Sequence, residues 1–459
     1  MRSSVFIVSD LHLGGEAGQD GGPGFQMCPP STQTLMASFF ARLPAPTSDR
    51  DVRLVIAGDI VDFLAEREFR AFTSDETETR EKLKFILQRT TGIWEALADF
   101  VKRGGALTLM LGNHDIELAL PSARRMLLDQ LGKGRVDFIY DNEALTLGPL
   151  LIEHGNRFDG WNAVAHGALR KVRSRLSRGL PAGEFPAMPG SRMVVEVMNP
   201  IKRDYSFVDL LKPEDAGVLP ILAGLGAGGL DEAWRGFKFY RKSQAVDYDE
   251  EHEPTEETYI ADIPSEDEAL YALAQDIAAG GDATQVSGID LTGLRDSVTD
   301  MVRKLRRSGL KKAFLSEPVQ KRHRQAFKVT YEDPTYLTAA KAAKNRGFRV
   351  VVFGHTHLVK RVPLGDNAVY LNTGTWADLI QAPKAVWGED KALGEQILDR
   401  FVNDLEKDDV AQWRRSLPTY AKIEVEGNAG EHADVYFADN DETVTDEGIA
   451  RRFEQEAIP

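Results

Sequence analysis

Five short stretches of the 459-residue sequence run into polar clusters rich in cation-binding groups. They are Ser9-Asp10-Leu11-His12, Gly58-Asp59-Ile60-Val61-Asp62, Gly112-Asn113-His114-Asp115, His154-Gly155 and Gly354-His355-Thr356-His357. A pair of divalent cations needs several oxygen and nitrogen ligands and one carboxylate between the positive centres. Such paired ions lie about 3.5–4 Å apart and clamp the attacking and leaving oxygens of an in-line displacement. Imidazole mixed with carboxylate suits manganese, iron, zinc or nickel rather than calcium. The five blocks together supply that mixture; any one alone is a weak signal.

The elements that must position these residues can be read around them. Val5–Val8, Val52–Ala57, Leu107–Leu111, Leu150–Glu153 and Val350–Phe353 are short apolar runs with the length and branching of buried strands. Each ends in one of the polar turns. Helical patterns such as Thr34–Arg42 and Glu81–Val101 lie between the first pairs, which predicts an α/β core. Ligands in open α/β sheets bind beyond the carboxyl ends of the strands, so the five turns can converge on one edge. The core is expected over residues 1–169 and again over 331–438. Between them, residues 170–330 read as a mainly helical insertion, with patterns at Ala269–Ala279 and Leu291–Leu305, either a lid or a plain appendage. Ala368–Asn372, Tyr420–Val425 and Ala433–Phe437 read as further strands and Leu393–Leu405 as a helix. Residues 439–459 form a charged tail expected to fray.

The ordered series of blocks resembles the signature of the calcineurin-like metallophosphoesterases, over roughly 270 of the 459 residues. That resemblance implies an αββα sandwich with the large insertion set into it. It also implies two divalent metal ions, manganese first and iron, zinc or nickel as alternatives. Asp10, His12 and His357 would hold one ion; Asn113, His154 and His355 would hold the other. Asp59 would bridge them, and a bridging hydroxide would attack a phosphomonoester or phosphodiester. His114 would protonate the leaving oxygen, oriented by Asp62 at its other ring nitrogen. Asn113 would also touch substrate. Asp115 would cap the following helix.

Within that superfamily the sequence departs from particular branches. Phe63 stands where the protein Ser/Thr phosphatases carry an arginine. The UDP-2,3-diacylglucosamine hydrolases are similar in Ser9–Leu13, His154-Gly155 and Gly354–His357, but usually have Arg in place of His114 and Asp in place of Asn156. Related nucleases carry a capping domain and a coiled-coil partner, neither of which is recognisable here. Arg157 could clamp a phosphate bidentately or pair with Asp159, and Asn162 emerges beside them. His166, His252, His323 and His432 lie outside the blocks and read as surface or packing residues. Two other functions stay open: a UDP-sugar-lipid pyrophosphatase at a membrane surface, or a metal-dependent nuclease or nucleic-acid-associated module.

Composition narrows the partners. A hydrophobic fraction of 42% and a charged fraction of 28% are those of a globular chain. The apolar stretch Gly217–Leu230 is too short to span a bilayer, which needs about 20 residues, so no transmembrane segment is expected. The N-terminus does not read as a secretory signal. Cys28 is the only cysteine, and the cytoplasm is the expected compartment. A net charge of −15 opposes whole-surface attraction to nucleic acid. The basic runs Arg170–Arg178 and Arg303–Lys328, the second with ten Lys/Arg, could reverse that locally or be solvated helix faces, as could the acidic stretch Asp247–Glu268. The expected substrate is a phosphorylated small molecule or nucleotide, with nucleic acid reached through residues 303–328; oligomeric state is not legible.

Overall fold

The computed structural model describes residues 2–16, 24–141, 144–203, 205–212, 311, 315, 317–426 and 429–454. The expected helices Ala269–Ala279 and Leu291–Leu305, the stretch Gly217–Leu230, the acidic run, His252 and the start of the basic run lie outside these residues.

Two mixed sheets form the centre. In the first, β1 (Arg2–Val8), β2 (Arg50–Ala57), β3 (Ala106–Met110) and β4 (Val136–Ile139) run parallel to one another. The second contains β5 (Leu145–Leu147), β6 (Leu150–Ile152), β7 (Val350–Phe353), β8 (Lys360–Gly365) and β9 (Ala368–Asn372), in the order β5-β6-β7-β9-β8. Here β6, β7 and β9 are parallel, while β5 and β8 pair antiparallel at the two edges. β10 (Asp378–Ile380) and β11 (Arg414–Ser416) make a separate pair. β12 (Thr419–Glu426) and β13 (Ala429–Phe437) complete the first sheet antiparallel beside β1, in the order β13-β12-β1-β2-β3-β4.

Strand periodicity assigns the layers. Odd and even side chains of a strand face opposite sides, and here both sides are apolar. Val5, Ile7, Val55, Ala57 and Met110 pack against Leu150, Ile152, Val350, Val352 and Leu371, so the sheets meet face to face. Their neighbours Phe6, Val8, Leu54, Ile56, Leu107 and Leu109 face a helical layer. That layer contains α1 (Pro30–Arg42), α2 (Glu76–Arg89), α3 (Thr91–Lys102) and α4 (Pro121–Leu131). α5 (His166–Leu176) adds Leu169 to the same cluster. Across the second sheet, Leu151, Val351, Phe353 and Tyr370 pack on Tyr336, Ala340 and Ala343. The fold is mixed α/β in helix–sheet–sheet–helix layers.

The segment expected as one helix over Glu81–Val101 is two, divided at Thr90. The Thr90 hydroxyl donates to the Ile86 carbonyl (2.7 Å) and accepts from the Trp94 indole (2.8 Å), and its backbone leaves the helical region there. α6 (Glu317–Ala326) and α7 (Pro334–Asn345) lead back into β7, and α8 (Lys391–Glu406) follows β10. The charged C-terminal segment does not simply fray. α9 (Asp446–Phe453) is capped by Thr445, buries Ile449, and ties down Val329 through an Asp446 carboxylate that accepts from its amide (2.7 Å).

The described start of the insertion is part of the core. Phe207, Val208, Leu210 and Leu211 are buried with Leu398, Phe401 and Val402 of α8. Asn199 donates to the Leu64 carbonyl (2.9 Å), and Asp408 accepts from both the amide and the hydroxyl of Ser206. Phe207 is fully buried. Truncating it to alanine is expected to cost about 3–5 kcal/mol, the usual range for a buried phenylalanine. Urea denaturation of Phe207→Ala measures this; an unchanged unfolding midpoint would mean the segment is an appendage.

Candidate metal centre

The parallel strands β1, β2, β3, β6 and β7 deliver the five blocks to one edge, where their carboxyl ends lie side by side. Two backbone features let the loops crowd there. Asp10 (φ 55°), His12 (44°), Asp59 (50°), His355 (69°) and His357 (62°) all adopt the left-handed region. Non-glycine residues enter it rarely, at a cost of about 1–3 kcal/mol each where the conformation is strained, and such outliers concentrate at functional sites. Between them, Gly58 is also left-handed (φ 93°), and a Cβ there would stand 2.6 Å from His154 Nδ1 and 2.8 Å from the Gly112 amide. A side chain at Gly58 would push the β2 and β6 loops apart.

Three trios of ligand atoms result, of which two share no residue: Asp10, His12 and His357 form the first, and Asp59, His154 and His355 the second; His12, Asp62 and His114 form a third that shares His12 with the first. In the first, Nε2 of His12 and of His357 lie 2.9 Å apart, and His357 Nε2 is 3.4 Å from Asp10 Oδ1. Two ligand atoms bound to one ion at about 2.0–2.1 Å are themselves about 2.8–3.4 Å apart, so these spacings fit a shared cation. In the second, the Ala57 carbonyl lies 2.8 Å from His154 Nδ1, which fixes the ring with Nε2 toward Asp59 Oδ2 at 3.2 Å. Fixing the outer nitrogen of a ligating histidine in this way is how proteins aim the inner one. Asp59 Oδ2 also lies 3.8 Å from His12 Nε2, between the trios, while Oδ1 accepts from the His114 amide (2.8 Å).

Buried atoms with unsatisfied bonding capacity mark the same place. His154 Nε2, Asn113 Oδ1, His12 Nδ1 and His357 Nδ1 are buried and have no hydrogen-bond partner of good geometry. Such atoms are rare in folded proteins unless an ion or water completes them. This donor set, buried imidazole with carboxylate, can hold a metal ion. Asn113 Nδ2 donates to Asn162 Oδ1 (3.3 Å), which leaves its buried carbonyl oxygen available to a cation.

The electrostatics agree. Burial alone would raise the Asp59 carboxyl, but His154 and His114 hold it well below the usual range. Burial likewise opposes Asp10, which its hydrogen bond with His357 and the nearby His154 bring down to about 2. Burial disfavours charge on His114, yet Asp62 and Asp59 raise it to about 10. Asp62 Oδ1 lies 3.2 Å from His114 Nδ1 and accepts from the Leu64 and Ala65 amides (3.0 and 3.2 Å). Asp62 Oδ2 also lies 3.5 Å from His12 Nδ1.

Two expectations are corrected here. Asp115 precedes a short 3₁₀ turn but does not cap it. Its carboxylate instead accepts from the Gly112 and Ile60 amides (2.7 Å each), stapling the β2 and β3 loops together. Arg157 does not pair with Asp159; its Nε is 2.9 Å from Glu153 and its guanidinium covers the Phe158 ring. Asp159 faces His355 Nε2 (2.9 Å) and accepts from Asn162, so it belongs to the centre.

Other supporting residues fall outside the five blocks. Asn372, fully buried, donates to the Gly354 carbonyl (2.8 Å) and Thr356 hydroxyl (3.1 Å) and accepts from the Gly374 amide (2.9 Å). Thr375 donates to the Asp10 carbonyl (2.8 Å), and the Ser9 hydroxyl bonds the Asp10 carboxylate. The signal was present: Ala368–Leu371 is an apolar run ending in Asn372-Thr373-Gly374-Thr375, the same strand-then-polar-turn pattern as the blocks.

Asn372→Ala would leave the Gly354 carbonyl and Gly374 amide buried without this partner, at about 1–3 kcal/mol for each such group. The variant is expected to unfold at lower urea and to bind manganese more weakly than the wild type by calorimetry. Unchanged stability and affinity would show that the β9 turn does not support the centre. No protein-family model matches the chain, and no curated protein matches it significantly.

Proposed function

We propose that the chain is a phosphoester hydrolase with a two-metal centre, resembling the calcineurin-like metallophosphoesterases in fold and site. The observation that carries this reading is the place of Asp59. One carboxylate oxygen lies within 3.8 Å of imidazole nitrogens belonging to both ligand trios. A buried carboxylate so shared suits two ions rather than one. The layered fold with five ligand loops on one edge supports the same assignment.

In this reading Asp10, His12 and His357 hold one ion, and Asn113, His154 and His355 hold the second, with Asp59 common to both. Manganese is the first choice, with iron, zinc or nickel as alternatives. When bound, the ions supply Lewis acidity and a water acidic enough to ionise near neutral pH.

The protein's own groups do the rest. His114 stands beside the centre with Nδ1 against Asp62, whose charge favours the protonated ring. Its role is to give a proton, or a strong hydrogen bond, to the leaving oxygen. Asp62 fixes the ring and keeps it charged, and two backbone amides hold Asp62 itself. His12 and Asp62 are close as well, but Asp62 Oδ1 is already engaged by three donors, which favours an orienting role over ligation. Arg157, engaged with Glu153 and Phe158, is not assigned to phosphate.

Two measurements test this. Purified protein is expected to bind close to two manganese ions per chain and to hydrolyse nitrophenyl phosphate or a nitrophenyl diester, with activity lost on chelation. Asp59→Asn should lose at least one ion together with activity; a fully metallated, active variant is incompatible with the shared carboxylate. His114→Asn should keep near-normal metal content while turnover falls roughly 10²- to 10⁴-fold. The defect should shrink for nitrophenolate, which leaves without protonation. Loss of the ions in His114→Asn, or equal defects on good and poor leaving groups, would remove His114 from the acid role.

A further inference from the structure

A cavity of about 610 Å³ lies where three chain segments meet, and five of its eight lining residues are charged. Two of the segments are continuations of the ligand loops. Glu16 follows His12 along the chain, and Arg67 and Arg70 follow Asp62. Glu66 ties the two loops, its carboxylate accepting from the Gly15 amide (2.8 Å). Arg203 comes from the third, the buried segment that opens the insertion. Next to it, the buried Lys202 lies 5.3 Å from the Phe25 ring in the cavity wall and pairs with Asp209. On the other side, Asp62, whose Oδ1 lies 3.2 Å from His114 Nδ1, opens the Phe63–Ala65 turn that leads through Glu66 to Arg67 in the cavity wall. The cavity is thus linked to the His114 side of the centre, where the proton for a leaving group would be supplied.

We propose that this cavity binds the leaving group of the substrate, an organic anion that carries a ring, of the nucleoside-phosphate kind, and that Arg203 selects it. The assignment as a leaving-group site rests on the hydrolase reading above; binding of the anion itself does not.

The lining supports that chemistry. Arg67 pairs with Glu16 (2.6 Å) and Arg70 with Glu78 (3.0 Å). Arg203 is exposed and, among the described residues, has no carboxylate partner. In a chain of net charge −15, a cation left available at a cavity wall is a place for an anion. Phe25 and Phe69 lie side by side, ring centroids 4.7 Å apart, and offer an apolar wall to a flat group. The volume is that of a small-molecule pocket. An acyl chain is disfavoured, because filling the cavity with hydrocarbon would strip water from charged residues.

The test uses full-length protein. Calorimetry without metal measures binding of AMP, inorganic pyrophosphate and dodecyl phosphate; kinetics with manganese compare ADP and nitrophenyl phosphate. Wild type is expected to bind AMP more tightly than either other ligand. Arg203→Glu should weaken AMP binding and raise KM for ADP about five- to tenfold, and should raise KM for nitrophenyl phosphate less, because the bound nitrophenyl group carries no charge for Arg203 to meet. Arg203→Lys should restore most of the affinity, and Phe69→Ala should weaken AMP but not pyrophosphate. Dodecyl phosphate binding more tightly than AMP, or no measurable AMP binding, overturns the proposal. So does AMP affinity unchanged in a stably folded Arg203→Glu protein. If no phosphoester is hydrolysed yet AMP binding depends on Arg203, the cavity assignment stands and the hydrolase reading falls.

Discussion

Three carboxylates, those of Asp10, Asp59 and Asp62, are buried within a few ångströms of four imidazoles at one edge of the fold. Burying ionised groups costs several kcal/mol each unless opposite charge and hydrogen bonds compensate. Much of the surrounding structure answers that requirement. Backbone amides of Leu64, Ala65, His114 and His355 converge on the carboxylates, and Ser9 adds a hydroxyl. Asp115, in the same neighbourhood, is raised to about 7 by burial and by Asp59, and its two oxygens are occupied by amides. Cations at the two trios would complete the neutralisation.

The backbone accepts a second cost for the same end. Five of the candidate ligand residues sit in the left-handed region two or four positions beyond the end of a parallel strand. That conformation ends the ladder abruptly and turns the chain across the sheet edge. Packing holds it there: the layers on both sides of β1, β2 and β7 are filled by apolar side chains, so the loops cannot relax by sliding the strands. Rigid strands thus carry the strain that gathers Asp10, His12 and His357, and Asp59, His154 and His355, from distant stretches into two close groups of ligand atoms.

The segment that opens the insertion joins the centre to its surroundings. It is anchored to α8 by Phe207 and Leu211 and to the β2 loop by Asn199. From that anchored position it contributes Lys202 and Asp209, and its Lys212 lies close enough to His357 to help burial lower that imidazole to about 4. Charge beside the His/Asp cluster therefore also comes from a part of the chain that holds none of the five blocks.

The order of strand-then-polar-turn blocks determined much by itself. It located β1, β2, β3, β6 and β7, because runs of branched apolar residues with both faces buried have few alternatives. Through the resemblance those blocks carry, it also put forward Asp10, His12, Asp59, Asn113, His154, His355 and His357 as one candidate ligand set, six of which the fold gathers into two trios. Which atom faces which was not legible. Arg157 turned to Glu153, Asp159 to His355, and Asp115 to two amides, because partner choice among nearby polar groups depends on loop geometry in three dimensions. The division at Thr90 was invisible for a related reason: both halves have helical periodicity, and the break follows from a hydroxyl that found a carbonyl and an indole. The packing of residues 199–212 was hidden as well, since its apolar side chains are matched by α8, nearly 200 residues further along. Local pattern records what a residue can do; only tertiary packing, through distances that chain separation does not set, decided what each one meets.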